Sequence, residues 1–111
     1  MELINLTPHD LVVYTTPGSS VKIPASGAVA RVTTELSPLP PIKYLDGTTV
    51  PVNRTKFGEV DGLPPETNQK GYVVSRIVFE AVKHRRLDVF APGEPVRDPQ
   101  GRVIGCRGLS R

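Results

Sequence analysis

The stretch Tyr72–Phe90 reads YVVSRIVFEAVKHRRLDVF. Tyr72–Val74 is a short apolar run with two valines, the composition of a strand. Ser75 then offers a hydroxyl where a helix N-cap needs one. Ile77, Val78, Ala81 and Val82 recur at the one-four spacing that lays an apolar stripe along one helical face. Arg76 and Glu80 stand four apart on another face and can pair. Lys83, His84, Arg85 and Arg86 bring cations to the C-terminal end, where the helix dipole favours them. Leu87–Phe90 returns to strand character. The stretch therefore predicts strand, helix over 75–84, strand, and no other part of the chain carries a convincing helical period.

Outward from this unit the chain alternates short extended runs with Pro/Gly punctuation, from twelve Pro and ten Gly. Towards the C-terminus, Ala91-Pro92-Gly93 reads as a turn. Pro95–Arg97 and Arg102–Cys106 flank Asp98-Pro99-Gln100-Gly101, a type I turn pattern, which makes a terminal hairpin. Towards the N-terminus, Asp61–Gly71 is a polar Pro/Gly loop and a candidate mobile segment. Ile42–Leu45 and Thr48–Val52 flank Asp46-Gly47, a type I′ hairpin signal, with Phe57–Val60 a separate strand. Ser37-Pro38-Leu39-Pro40-Pro41 is expected to break any regular ladder. Ala28–Leu36 alternates, with Val29 and Arg31 on one face and Ala28, Ala30 and Val32 on the other. Leu11–Thr15 and Val21–Pro24 pair as a hairpin across the type II pattern Thr16-Pro17-Gly18-Ser19. Pro24-Ala25-Ser26-Gly27 turns again, and Ile4–Leu6 is a first extended segment. The fold expected is α+β and mainly β: one domain over 1–111, a small antiparallel sandwich or partly open barrel with one helix.

Composition restricts the function classes. Hydrophobic residues make up 38% and charged residues 23%, a globular balance, so a chain of 111 residues can fold without a disulfide or metal. Cys106 is the only cysteine, which rules out an internal disulfide and a Cys-based zinc site. A reducing cytoplasmic compartment is expected, with no membrane span. Asn5-Leu6-Thr7 and Asn53-Arg54-Thr55 match the glycosylation acceptor pattern, and both are read as accidental without a secretory signal. His9 and His84 form no ligand pair, so no metal is expected, and no cofactor loop of the GxGxxG or GxxxxGK[ST] type occurs. Cys106, alternating with Val103 and Ile104 in a strand, reads as a small core residue.

Two groups of residues remain. The first is Asn5-Leu6-Thr7-Pro8-His9-Asp10, made locally stiff by Pro8. There His9 is either an acid–base group or a turn residue satisfying a nearby carbonyl. The second is arginine: nine of the fourteen cations are Arg, seven of them from Arg76 onward, in a chain of net charge +3. Arg binds carboxylate and phosphate bidentately. Ser75 and Arg76 at the helix start, with Arg97, Asp98, Arg102 and Arg107 on the terminal hairpin, are expected to converge on one anionic ligand; the alternative is separate surface charges. Nucleic acid is disfavoured, because no basic stripe is interleaved with aromatics.

The segments INLTPHDLVVY, IPASGAVARV, GYVVSRIVFEAV and PVRDPQGRVIGCRGL resemble a group of small uncharacterised proteins of phages, prophages and bacterial genomes. The likeness covers both ends and is weak over about Leu36–Gly71. It implies a short accessory gene of a mobile element, a class that includes proteins countering host defence by sequestering nucleotide-type immune signals. The first expectation is thus a non-enzymatic binding protein, possible as a homo-oligomer, that holds a small anionic, nucleotide-like ligand through Asn5, Thr7, His9, Ser75, Arg76, Arg97, Asp98 and Arg107. The second is a protein-interaction module, a phage accessory or virion-associated subunit or an inhibitor of a host protein, marked by an exposed apolar patch. The third is a small hydrolase using His9.

Overall fold

The computed structural model describes residues 1–16 and 18–111. The Tyr72–Phe90 stretch folds as strand, helix, strand. β6 (Lys70–Val73) and β7 (Val89–Arg97) lie side by side in parallel, with α1 (Arg76–Val82) between them in sequence. Ser75 is the N-cap, its Oγ accepting from the Val78 amide at 3.5 Å. The helix ends at Val82, so Lys83, His84, Arg85 and Arg86 lie beyond its last turn. Its buried face is Val78, Phe79 and Val82, while Ile77 is 46% exposed. Phe79 thus replaces Ile77 in the expected stripe, because the helix turns its larger ring onto the sheet.

β1 (Glu2–Asn5), β2 (Leu11–Thr16), β3 (Ser19–Ile23) and β8 (Val103–Ser110) complete a six-stranded sheet in the order β1-β6-β7-β8-β2-β3. The mainly-β α+β class is as expected, and the curled sheet is a partly open barrel. Its strands are not all antiparallel. β1–β6, β6–β7 and β8–β2 are parallel, β7–β8 and β2–β3 antiparallel. The parallel β6–β7 pair requires the helical crossover between its strands, since a hairpin cannot join parallel neighbours. A bridge between Asn5 and Ala25 links the ends of the two edge strands and nearly closes the curl. The main core lies between sheet and helix: Leu6, Tyr72, Val74, Phe79, Val82 and Val89 are among its buried members. Val13, Ile23 and Cys106 form a smaller cluster.

Both expected hairpins within the sheet are present, β2–β3 and β7–β8. The type II turn assigned at Thr16–Ser19 involves residue 17, which lies outside the described residues. Ala91-Pro92-Gly93 is not a turn; β7 runs through it. Gly93 is there for close approach, since a Cβ would collide with the Arg107 carbonyl oxygen on β8.

The largest departure is the middle of the chain. β4 (Arg31–Lys43) and β5 (Thr49–Asp61), thirteen residues each, form a separate two-stranded antiparallel ribbon. Ser37-Pro38-Leu39-Pro40-Pro41 does not break it. β4 is hydrogen-bonded to one neighbour only, so a missing N–H on its outer side costs no ladder bond. Pro38 and Pro40 are two apart and present the same side. Pro41, of opposite parity, falls where the register shifts between Leu39 and Ile42. The connecting loop is not type I′: no non-glycine residue described has positive φ, so Asp46 cannot occupy it. Gly47 N–H donates to the Tyr44 carbonyl (3.0 Å) and Gly47 takes φ +87, a type I turn closed by a left-handed glycine. Val32 and Val60 at the ribbon's base pack against the core beside α1. Beyond them the ribbon is an arm. Its strands are about 40 Å long, and the radius of gyration is 17.6 Å, against about 13 Å for a compact chain of this size.

Candidate functional site

The N-terminal insert is built around Asn5, which is 1% exposed. Its Nδ2 donates to the carbonyls of His9 (2.8 Å) and Ile23 (3.0 Å). Its Oδ1 accepts from the Thr7 amide (2.9 Å) and the Thr7 hydroxyl (2.6 Å). The hydroxyl also reaches the His9 carbonyl at 3.0 Å. Asp10 accepts from the Ala25 amide (2.9 Å) and pairs with Lys22 (3.3 Å). These bonds hold its carboxyl below the usual range, the Ala25 amide contributing most. The polar residues after β1 therefore tie that edge of the barrel to the end of β3. The His9 backbone takes part through its carbonyl, and neither histidine imidazole makes a hydrogen bond among the described residues.

Thr7 and Ser75 come together on a shallow cavity of about 240 Å³ between this insert, the start of β4 and α1. Its walls are mainly aliphatic, including Leu6, Val32 and Val78, and its cation is Arg31. Arg76 instead points along the helix, with Nη1 3.8 Å from Glu80 and the guanidinium 5.9 Å from the Phe79 ring centre. Arg107 lines a different cavity of about 280 Å³ with Tyr14, Thr15 and Thr16. Arg97 and Asp98 stay on the β7–β8 turn. Arg97 donates to the Gly101 carbonyl (2.8 Å). Asp98 accepts from the Gln100 and Arg102 amides and from Arg102 Nε, each at 2.9 Å. The structure thus brings Thr7 to Ser75, and Arg97 to Asp98, and leaves Arg107 on its own cavity. Among the described residues no group of three His, Cys, Asp or Glu is arranged to hold a metal ion, and no helix is long and apolar enough to cross a membrane.

Three features escaped the sequence reading. Arg86 and Asp88 form a nearly buried bidentate pair, Nε and Nη2 to the two carboxylate oxygens at 2.9 Å, with Nη2 also 2.8 Å from the Pro64 carbonyl. The Arg86 hydrogen bonds hold the Asp88 carboxyl below its ordinary range against burial. Arg111 donates to the carbonyls of Arg86 (3.0 Å), Val89 (2.9 Å) and Lys83 (3.3 Å), fastening the chain end over the exit of α1.

The third is the arm. Opposed residues share a face, and faces alternate. One face carries Val32/Val60, Thr34/Phe57, Leu36/Thr55 and Pro38/Asn53, apolar where it meets the body. The other runs Arg31/Asp61, Glu35/Lys56, Ser37/Arg54, then Leu39/Val52 and Ile42/Val50. It is charged near the body and apolar towards the tip. Ile42 is 59% exposed, Tyr44 61% and Leu45 96%. The sequence signal for the arm was present in Asp46-Gly47 between two alternating runs.

Compared with family models, curated proteins and solved structures, the chain matches none.

Proposed function

We propose that this chain is a protein-interaction module acting through the β4–β5 arm. One observation carries the reading: a ribbon of two thirteen-residue strands leaves the body with Leu36, Ile42, Tyr44, Leu45 and Val50 exposed to water. An isolated two-stranded ribbon is marginal in water and is stabilised when a further surface covers it. Clustered exposed apolar side chains on a projecting element mark a binding surface. The resemblance of both chain ends to phage and prophage proteins supports reading such a module as accessory machinery of a mobile element, where counter-defence by direct binding is one use.

The test uses the full-length tagged chain, co-expressed with an untagged copy in a bacterial host, beside the variant Ile42→Asp/Val50→Asp. Both positions are exposed, so the variant keeps its fold at a cost of about 1 kcal/mol for like charges across the strands. Host proteins retained by the parent chain are expected to be lost from the variant. Equal retention by both, or retention of nothing, refutes the reading.

A second reading has its own observation. Arg107, Tyr14, Thr15 and Thr16 line one cavity, residue types suited to a small phosphate-bearing ligand such as a nucleotide-type signal. Incubation with candidate nucleotides, then release by heating, tests it. Intact ligand recovered from the parent chain and not from Arg107→Ala supports this reading; no capture by either removes it.

A further inference from the structure

We infer that the arm's partner is a second copy of this chain, whose β5 adds antiparallel to β5 about a two-fold near Phe57. The inference rests on the interaction-module reading above and names the partner. The result is a four-stranded sheet, β4-β5-β5-β4.

The backbone selects the edge. Among the described residues β5 has no strand neighbour other than β4, so its outer donors and acceptors have no strand partner there. On β4, Pro38 and Pro40 withhold N–H groups from the outer edge, which hinders strand addition along that part of it. β5 has a proline, Pro51, only near the tip, so its proline-free stretch, Val52–Asp61, is longer than that of β4, Arg31–Ser37.

The charges select the partner. The arm, residues 31–61, holds four cations (Arg31, Lys43, Arg54, Lys56) and four anions (Glu35, Asp46, Glu59, Asp61), so it is neutral in a chain of net charge +3. Along β5 the signs are segregated: Arg54 and Lys56, then Glu59 and Asp61. An antiparallel copy rotated about Phe57 sets the basic segment of each strand beside the acidic segment of the other. Arg54, Lys56 and Asp61 also share one face of the ribbon, because they oppose Ser37, Glu35 and Arg31, three odd-numbered positions of β4. None of the four β5 charges makes a salt bridge among the described residues. A two-fold interface must be complementary to itself, and this strand is. On the opposite face Phe57, 38% exposed, meets its own copy across the axis.

The test is a charge exchange read by sedimentation or light scattering. The parent chain is expected at twice the 12.0 kDa protomer mass. Arg54→Glu/Lys56→Glu alone, and Glu59→Lys/Asp61→Lys alone, each sediment as single protomers at the concentration where the parent is dimeric. An equimolar mixture of the two regains the dimer mass, because each then meets opposite charge. Hydrogen exchange is expected to show amides of Val52–Asp61 protected in the dimer and released in either variant alone. A parent chain that stays a single protomer up to its solubility limit overturns the inference. So do variants that remain dimeric, or a mixture that does not recover. If the parent is monomeric yet retains another protein in a way that Ile42→Asp/Val50→Asp abolishes, this inference fails and the interaction-module reading stands. If neither is seen, both fail.

Discussion

Asn5→Ala tests whether the polar insert holds the barrel together. Asn5 is buried, and all four of its side-chain hydrogen-bonding positions are used: two donors on the carbonyls of His9 and Ile23, two lone pairs on the amide and hydroxyl of Thr7. The Ile23 carbonyl is the critical partner, because it belongs to the far edge strand. A net hydrogen bond contributes about 1 kcal/mol, and a buried group left unpaired costs about 1–3 kcal/mol. Truncation therefore costs roughly 3–4 kcal/mol. For a chain of this size that lowers the melting temperature by roughly 12–20 °C. Denaturant unfolding of the parent chain, Asn5→Ala and Thr7→Val measures it. Thr7→Val leaves both Asn5 donors engaged and is expected to lose only about 1 kcal/mol. A loss below about 1 kcal/mol for Asn5→Ala would show that the edge strands are held by the sheet alone.

Three further outcomes follow from other parts of the structure. Asp88 titrates below its ordinary value because Arg86 hydrogen-bonds its carboxylate. Its contribution is then complete above about pH 4, the unfolded carboxylate range, and is lost as pH falls through the lower folded value. Asp88→Ala, which leaves Arg86 half-buried without its partner, is expected to cost about 3 kcal/mol at neutral pH and to flatten the acid limb of a stability-versus-pH curve. Gly93→Ala places a Cβ against the Arg107 carbonyl oxygen, backbone that cannot swing aside. A loss of about 1–3 kcal/mol by denaturant titration is expected, and an unchanged midpoint would show that β7 and β8 can part. Ile42→Asp/Val50→Asp changes two exposed positions that face each other across the ribbon, so the like charges are expected to cost about 1 kcal/mol in dilute protein; a loss of several times that would place these side chains inside the fold.

Local signals proved legible where one element decides its own structure. The helix and its cap follow from Ser75 and the apolar spacing after it. The terminal turn follows from Asp98, Pro99 and Gly101, whose amide donates to the Asp98 carbonyl at 2.9 Å. What periodicity does not contain is which element lies beside which. The parallel β1–β6 and β8–β2 pairs join segments 68 and 93 positions apart in register, so nothing in either segment announces the other. The candidate site was illegible for the same reason. Asn5 looked like a recognition residue because it is polar and stands beside Pro8 and His9. Its role depends on the Ile23 carbonyl, brought to it by the near-closure of the sheet. Arg86 and Asp88 were two members of a charged run until burial set them against each other.

Proline in the arm shows how a correct rule led to a wrong expectation. Three prolines between residues 38 and 41 do exclude a strand bonded on both sides. The inference that they end the ladder assumed a wide sheet. In a ribbon of two strands each member has a bonded side and a bare side, and prolines on the bare side cost nothing. They also act on whatever comes next, because a strand edge without N–H groups cannot accept a new neighbour. The same residues that hid β4 in the sequence leave β5 with the longer proline-free edge of the arm. An arm built for general stickiness would keep both edges open and its charge of one sign. This one carries three of its four prolines on one strand, balances its charges, and reverses their sign along the other strand. Those three properties fit the proposed antiparallel pairing with a strand of the same sequence, and the charge-exchange variants separate it from simple apolar adhesion: adhesion survives reversal of Arg54 and Lys56, and self-recognition does not.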